Sequence, residues 1–193
     1  KKPQINPPKK ILIANIAHAG DVLNSLSIIP ILKVSFPNIQ IGFICGSWSQ
    51  PILEEYSSLI NWIHIIDHWY LNRNSNSFIG KLMIYVSTLI KAKSKIKKIN
   101  YDVAIDLYYY YPNAIPILHF VGIPNLIGYT SGGFGALLTH PLDWSEKNCH
   151  ITEYYIELVK YLPISNLPLL RRIPKPNIYI KEICNSQYNF DYE

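Results

Sequence analysis

The sequence predicts an α/β domain, a parallel sheet with helices on both faces. Apolar runs without polar alternation recur, as in ILIANI (11–16) and IQIGFIC (39–45), which is how strands buried on both sides read. Segments of helical spacing separate them, and turn chemistry such as Phe36-Pro37-Asn38 punctuates the alternation.

The elements follow in order. Strand 11–16 leads into a helix over 21–34, where Val22, Leu23, Leu26, Ile29 and Leu32 recur at helical spacing and Pro30 predicts an irregularity. A second strand spans 39–45, a short helix 50–59 and a third strand 61–66. The polar stretch NRNSNS (72–77) opens a long helix over 78–99, with Ile79, Leu82, Met83, Val86, Leu89 and Ile90 on one face. YDVAIDL (101–107) is a fourth strand, PNAIPILHFVG (112–122) a helix or helical turn, and NLIGY (125–129) a fifth strand. The last helix, 150–162, aligns Ile151, Tyr154, Tyr155, Leu158 and Leu162. Such a cycle is Rossmann-like and occupies residues 1–162. The proline-rich stretch 163–193 continues no strand–helix cycle and reads as a linker leading to something else.

Composition narrows the function classes. Hydrophobic residues make up 49% and charged residues 16% of the 193, too apolar for a disordered chain. No apolar run reaches the ~20 residues of a membrane-spanning helix. The opening KKPQINPPKK is basic, but the apolar run after it meets an acid and not a small-residue cleavage site, so no signal peptide is expected. Cys45, Cys149 and Cys184 are odd in number and scattered, which predicts neither a disulfide framework nor a zinc site and suits a reducing cytoplasm. The net charge is +5, and five lysines crowd into KAKSKIKK (91–98): Lys91, Lys93, Lys95, Lys97 and Lys98. A solvated helix end that complements the macrodipole is one reading, and a basic patch for an anionic membrane surface is the other. No nucleic-acid motif accompanies the patch, so no nucleic-acid partner is expected.

The chemistry concentrates in AHAGD (17–21). In an open parallel sheet, ligands gather at the carboxyl ends of strands, and this loop follows the first strand. Gly20 permits backbone angles or a close approach that a side chain forbids. Asp21 stands at a helix start, where free N–H groups favour an ionised carboxylate. It reads either as an N-cap or as a group that accepts a proton from a substrate hydroxyl. His18 reads as an exposed loop histidine, or as one that hydrogen-bonds a substrate or shares a proton with Asp21. Elsewhere His64, Asp67 and His68 have ligand spacing only on a helix, and NWIHIIDHWY reads as a strand entering a loop, so no metal site is expected. SGGFG (131–135) reads as a flexible loop facing the cleft, with phosphate binding as the alternative. His119 and His140 read as structural.

ILIANIAHAGDVLNSLSIIPILKVSFPNIQIGFIC resembles the N-terminal segment of glycosyltransferase family 9, the lipopolysaccharide heptosyltransferases. Like that family it has an apolar strand, a loop ending Gly-Asp-Val, a helix with a proline, a Phe-Pro turn and a second strand. The likeness continues through YDVAIDL, IGYTSGGFGALLTH and HITEYYIELVKYL, where His150 matches a helix-start histidine, and covers nearly all of 10–162. It implies the N-terminal, acceptor-binding half of a GT-B enzyme that inverts the anomeric centre without a bound metal. It implies Asp21 as general base; beside it His18, Gly20, Tyr109, Gly132 and Gly133 are the candidate acceptor-binding residues, His18 standing where some members of the family carry serine. The partner is then a glycan or glycolipid. The nucleotide-sugar donor, ADP-heptose or similar, is expected only with a C-terminal domain that 163–193 cannot supply, so this chain alone is expected to be inactive unless another polypeptide completes it. Where the family has a small polar pair after its Asp-Leu, this chain has Tyr108 to Tyr111, which re-lines the acceptor side. A non-catalytic binding module derived from the same fold is the competing reading.

Overall fold

The computed structural model describes residues 4–72, 77–110 and 114–164. Its elements are β1 (Lys10–Ala14), α1 (Ala19–Ser25), α2 (Ile28–Ser35), β2 (Gln40–Cys45), α3 (Gln50–Glu54), β3 (Trp62–Ile65), α4 (Phe78–Ile99), β4 (Val103–Asp106), α5 (Ile115–Val121), β5 (Asn125–Tyr129), β6 (His140–Leu142) and α6 (Ile151–Val159). The six strands form one sheet in the order β3-β2-β1-β4-β5-β6, every pair parallel. The order reverses between β1 and β4, whose partners run from Ile11↔Val103 to Ala14↔Asp106.

Alternate residues of the strands feed two cores, as the period of two requires. Ile11, Ile13, Phe43, Val103, Ile105 and Ile127 point to one side and meet α1, α2, α3 and α6 through Val22, Leu32, Leu53 and Leu158. Leu12, Ala14, Ile44, Ala104 and Leu126 point to the other and meet α4 and α5 through Ala92, Ile96, Ile115 and Leu118. The near-continuous apolar strands therefore reflect a sheet covered on both faces.

The structure departs from the sequence expectations in four places. The helix expected over 21–34 is two helices, because Pro30 fits only in a first helical turn, where its missing N–H has no partner to lose, and α2 begins two residues before it. The helix expected over 50–59 ends at Glu54. A sixth strand, His140-Pro141-Leu142, lies at the sheet edge, where a proline is tolerated. On α4 the apolar face read from spacing packs only at Leu89: Ala92 and Ile96 beside it are buried, whereas Ile79, Leu82, Met83, Val86 and Ile90 are exposed.

One contact fixes β2 against the neighbouring layer. A Cβ on Gly42 would lie 2.0 Å from the Tyr101 hydroxyl, so only glycine lets the Tyr101 ring cross that strand. The hydroxyl pairs with His64 Nε2 at 2.8 Å, and burial, with a smaller push from Lys95, lowers His64 to about 4. His64 is thus neutral and structural. Asp67 turns elsewhere and accepts a hydrogen bond from the Ser47 N–H at 2.7 Å, so His64, Asp67 and His68 do not converge. Among the described residues, no three His, Cys, Asp or Glu side chains gather as metal ligands would. Cys45 and Cys149 are free thiols, burial pushing the former up to about 12; Cys184 and the 163–193 linker from residue 165 onward lie outside the described residues.

Candidate functional site

The reversal of strand order between β1 and β4 is where an open parallel sheet places its crevice, flanked here by the segments that leave those two strands. Beyond Ala14 the chain passes Asn15 and enters α1 through His18, whose carbonyl accepts from the Asp21 and Val22 N–H groups at 3.0 and 3.1 Å. His18 is the N-cap residue and exposed, with no side-chain cap bond. Asp21 therefore sits inside the first helical turn and is not the cap. It is half-buried, and among the described residues that carboxylate makes no hydrogen bond or ion pair.

Buried polar contacts hold this loop. Asn15, fully buried, donates through Nδ2 to Ser25 Oγ at 2.6 Å and to the Asp21 carbonyl at 3.2 Å, and Ser25 Oγ donates to the same carbonyl at 2.8 Å. Tyr155 from α6 lies close enough to Ser25 and Asn15 for both to oppose, weakly, the rise that burial gives its phenol. On the other flank the Trp48 indole N–H donates to the Ala17 carbonyl at 2.8 Å, its ring lying over Gly46, where any Cβ would overlap it. The loop carrying Asp21 is thus fastened from β1, from α6 and from the segment after β2. None of Asn15, Trp48 or Tyr155 stands out in the sequence as part of a site, because each acts through a contact distant in the chain.

Across the crevice, β4 delivers tyrosines. The ionisation of Tyr108 is raised first by burial and then by the charge of Asp21, and Tyr155 is raised in the same order by the same two causes. These phenols therefore share the field of the Asp21 carboxylate. Tyr109 stacks face to face on Trp144, ring centroids 3.6 Å apart, and Trp144 stacks in turn on Tyr154 at 4.2 Å. Tyr129 meets Trp144 edge-on. One face of Tyr109 is thereby spent on packing, and the stack steadies the segment after β4. The Ser131 hydroxyl donates to the Tyr109 carbonyl at 2.6 Å, which brings the loop carrying Gly132 and Gly133 alongside. Gly133 takes a positive φ of 87°, a conformation that glycine adopts freely.

A second carboxylate lies beneath the crevice. Asp106, the last residue of β4, is 1% exposed; its Oδ1 accepts from the Tyr108 N–H at 3.2 Å, and its Oδ2 has no partner among the described residues. Burial pushes it up to about 7, against a smaller opposing effect of the Tyr108 N–H. Its neighbours across the sheet are Ala14 and Gly128, both small. An acid closing an otherwise apolar VAID strand was the available signal.

The residues singled out from the sequence fall on one edge of the sheet: His18, Gly20 and Asp21 after β1, Tyr109 after β4, and Gly132 and Gly133 after β5. Tyr111 lies outside the described residues. His150 caps α6, its Nδ1 accepting from the Thr152 N–H at 3.3 Å. His140 is buried against Thr139, and His119 is exposed on α5. An unpaired carboxylate at the mouth of such a crevice can orient a hydroxyl and take its proton.

No protein-family model matches the chain, and no curated protein matches it. Solved structures do share its fold. A glycosyl transferase family 9 structure from Veillonella parvula DSM 2008 superposes with a TM-score of 0.60 at 18% identity, covering 82% of this chain and 42% of that one. The E. coli heptosyltransferase WaaC, solved with ADP-2-deoxy-2-fluoro heptose, gives 0.61 at 16% identity over 81% of this chain and 49% of its own. The same enzyme with ADP gives 0.60 at 15% identity, covering 81% of this chain and 48% of that one. The chain thus spans less than half the length of each neighbour, and at these identities the likeness establishes a Rossmann-like, glycosyltransferase-type fold.

Proposed function

We propose, on that shared fold, that the chain is the acceptor-binding half of an inverting, metal-independent glycosyltransferase of heptosyltransferase type. The observation that carries the reading is the Asp21 carboxylate, without a partner among the described residues, at the carboxyl end of β1 beside the point where strand order reverses. In this reading an acceptor hydroxyl docks against Asp21 and passes its proton to the carboxylate. The oxygen attacks the donor's anomeric carbon while the bond to the nucleoside diphosphate breaks on the opposite face. His18 and Tyr108 flank the acceptor, and the open space at Gly20 admits its sugar ring. The donor sugar nucleotide is held by a second domain, in the same or another polypeptide, so these residues alone bind acceptor without turnover. The free thiols Cys45 and Cys149 suit a cytoplasmic location.

Titration of a core lipopolysaccharide saccharide into the chain, followed by amide chemical shifts, tests the binding half of this reading. Perturbations are expected at 15–21 and 106–110, with none from ADP or an ADP-sugar. Saturable nucleotide binding in the absence of saccharide binding would replace the reading with a nucleotide-binding domain of another kind.

A further inference from the structure

Helix α4 carries a surface that the crevice does not use. It has 22 residues, about 33 Å of helix, beside strands β3 and β4 of four residues each. Its packed face begins only near Tyr85 and Thr88, where Thr88 Oγ1 accepts from the Asp67 N–H, and continues through Ala92 and Ile96. The first turns overhang the sheet. Along them Ile79, Met83 and Ile90 are 68%, 68% and 63% exposed, and Phe78, Leu82 and Val86 are exposed beside them.

These residues form a line with a charged end. Ile79, Met83, Val86, Ile90, Lys93 and Lys97 follow one another by alternating steps of four and three, so they share one helix face. The stripe is apolar over its first turns and basic over its last. Lys81, Lys91, Lys95 and Lys98 add to the charge, and α4 contains no acidic residue. At the apolar end Trp69 packs edge-on against both Phe78 and the exposed Tyr70, an aromatic group of the kind that sits at a membrane–water boundary.

We propose that this stripe of α4 docks the protein on an anionic phospholipid bilayer, the apolar turns entering the headgroup boundary and Lys93 and Lys97 meeting lipid phosphates. Charge chooses the occupant. A second copy would bring the same acid-free helix on a chain of net charge +5, whereas an anionic lipid surface neutralises the lysines and takes up the aliphatic side chains. No described helix is long and apolar enough to cross a membrane, so the mode is peripheral. This inference is independent of the transferase reading, since lipid binding is read without turnover.

Flotation of the full chain with phosphatidylcholine vesicles, with and without phosphatidylglycerol, is the test. Binding is expected on the anionic vesicles, to weaken with salt, and to be near background on phosphatidylcholine alone. Replacing both lysines, Lys93→Ala with Lys97→Ala, should weaken it about 30-fold. Met83→Glu should weaken it at least about tenfold, with circular dichroism unchanged because the side chain is exposed; Ile79→Ser serves as a second probe should Met83→Glu disturb the helix. Absence of binding at low salt, or equal binding by wild type and folded variants, overturns the proposal. So does sedimentation that shows self-association abolished by Met83→Glu without vesicle binding, which would assign the stripe to a second copy.

Discussion

A Cβ added at Gly20 would meet no atom within 4 Å, and the residue lies in the first turn of α1 without a positive φ. The protein's own backbone therefore does not need a glycine there; the expectation of special backbone angles is replaced by open space before Asp21. Gly20→Ala is predicted to raise unfolding stability by up to about 1 kcal/mol through helix propensity, while saccharide affinity falls several-fold; unchanged affinity would show that nothing approaches this position. Asp106 offers a second prediction at this scale. Its pKa is raised from 3.8 to about 7 in the folded state, so the native protein holds the proton more tightly than the unfolded chain. Stability is then lost as pH rises through that interval, by at most about 1.4 kcal/mol per pH unit, and is level above it. Asp106→Asn should flatten that slope in urea unfolding followed against pH. Asp21 was legible in the sequence because an acid after a strand and a glycine marks a helix start. Asp106 was not, because spacing alone does not tell a buried strand-end acid from a solvated one.

Elements were legible where a period or a breaker was strong. The strands of the central sheet follow from unbroken apolar runs, and the loop after β1 from Gly20-Asp21. The break between α1 and α2 was only half visible, since Pro30 announces an irregularity without saying that the helix must restart just before it. β6 escaped because three residues containing a proline carry no period. The packed face of α4 does not follow from helical spacing, because the large apolar residues of its first turns fix a stripe, whereas tertiary packing chose the adjacent one through Ala92 and Ile96, with Leu89 at its edge. The crossing of β2 by Tyr101 at Gly42 is likewise invisible in the chain order and gives a sharp prediction. Gly42→Ala should destabilise by about 1–3 kcal/mol, and combining it with Tyr101→Leu should cost less than the sum of the two single changes; strict additivity in denaturant unfolding would mean that the ring does not occupy that space.

For the whole molecule, the strand order decides where chemistry can happen. With β1 and β4 adjacent and their crossovers leaving on opposite faces, the crevice opens at their carboxyl ends, and the residues chosen from sequence lie on that edge. The buried Asn15–Ser25 contact, the Trp48–Ala17 bond and the Tyr109–Trp144–Tyr154 stack hold its walls, while α4 presents a separate surface on the flank. The central claim is that Asp21 takes the acceptor's proton. It is tested by sugar transfer from an ADP-sugar to a core lipopolysaccharide saccharide, measured on the chain joined or mixed with the donor domain that the proposed function requires, for wild type and Asp21→Asn. With Asp21 as the base, kcat of Asp21→Asn falls by about 10²–10⁴-fold with saccharide affinity nearly unchanged; transfer by Asp21→Asn at the wild-type rate would mean that another group takes the proton.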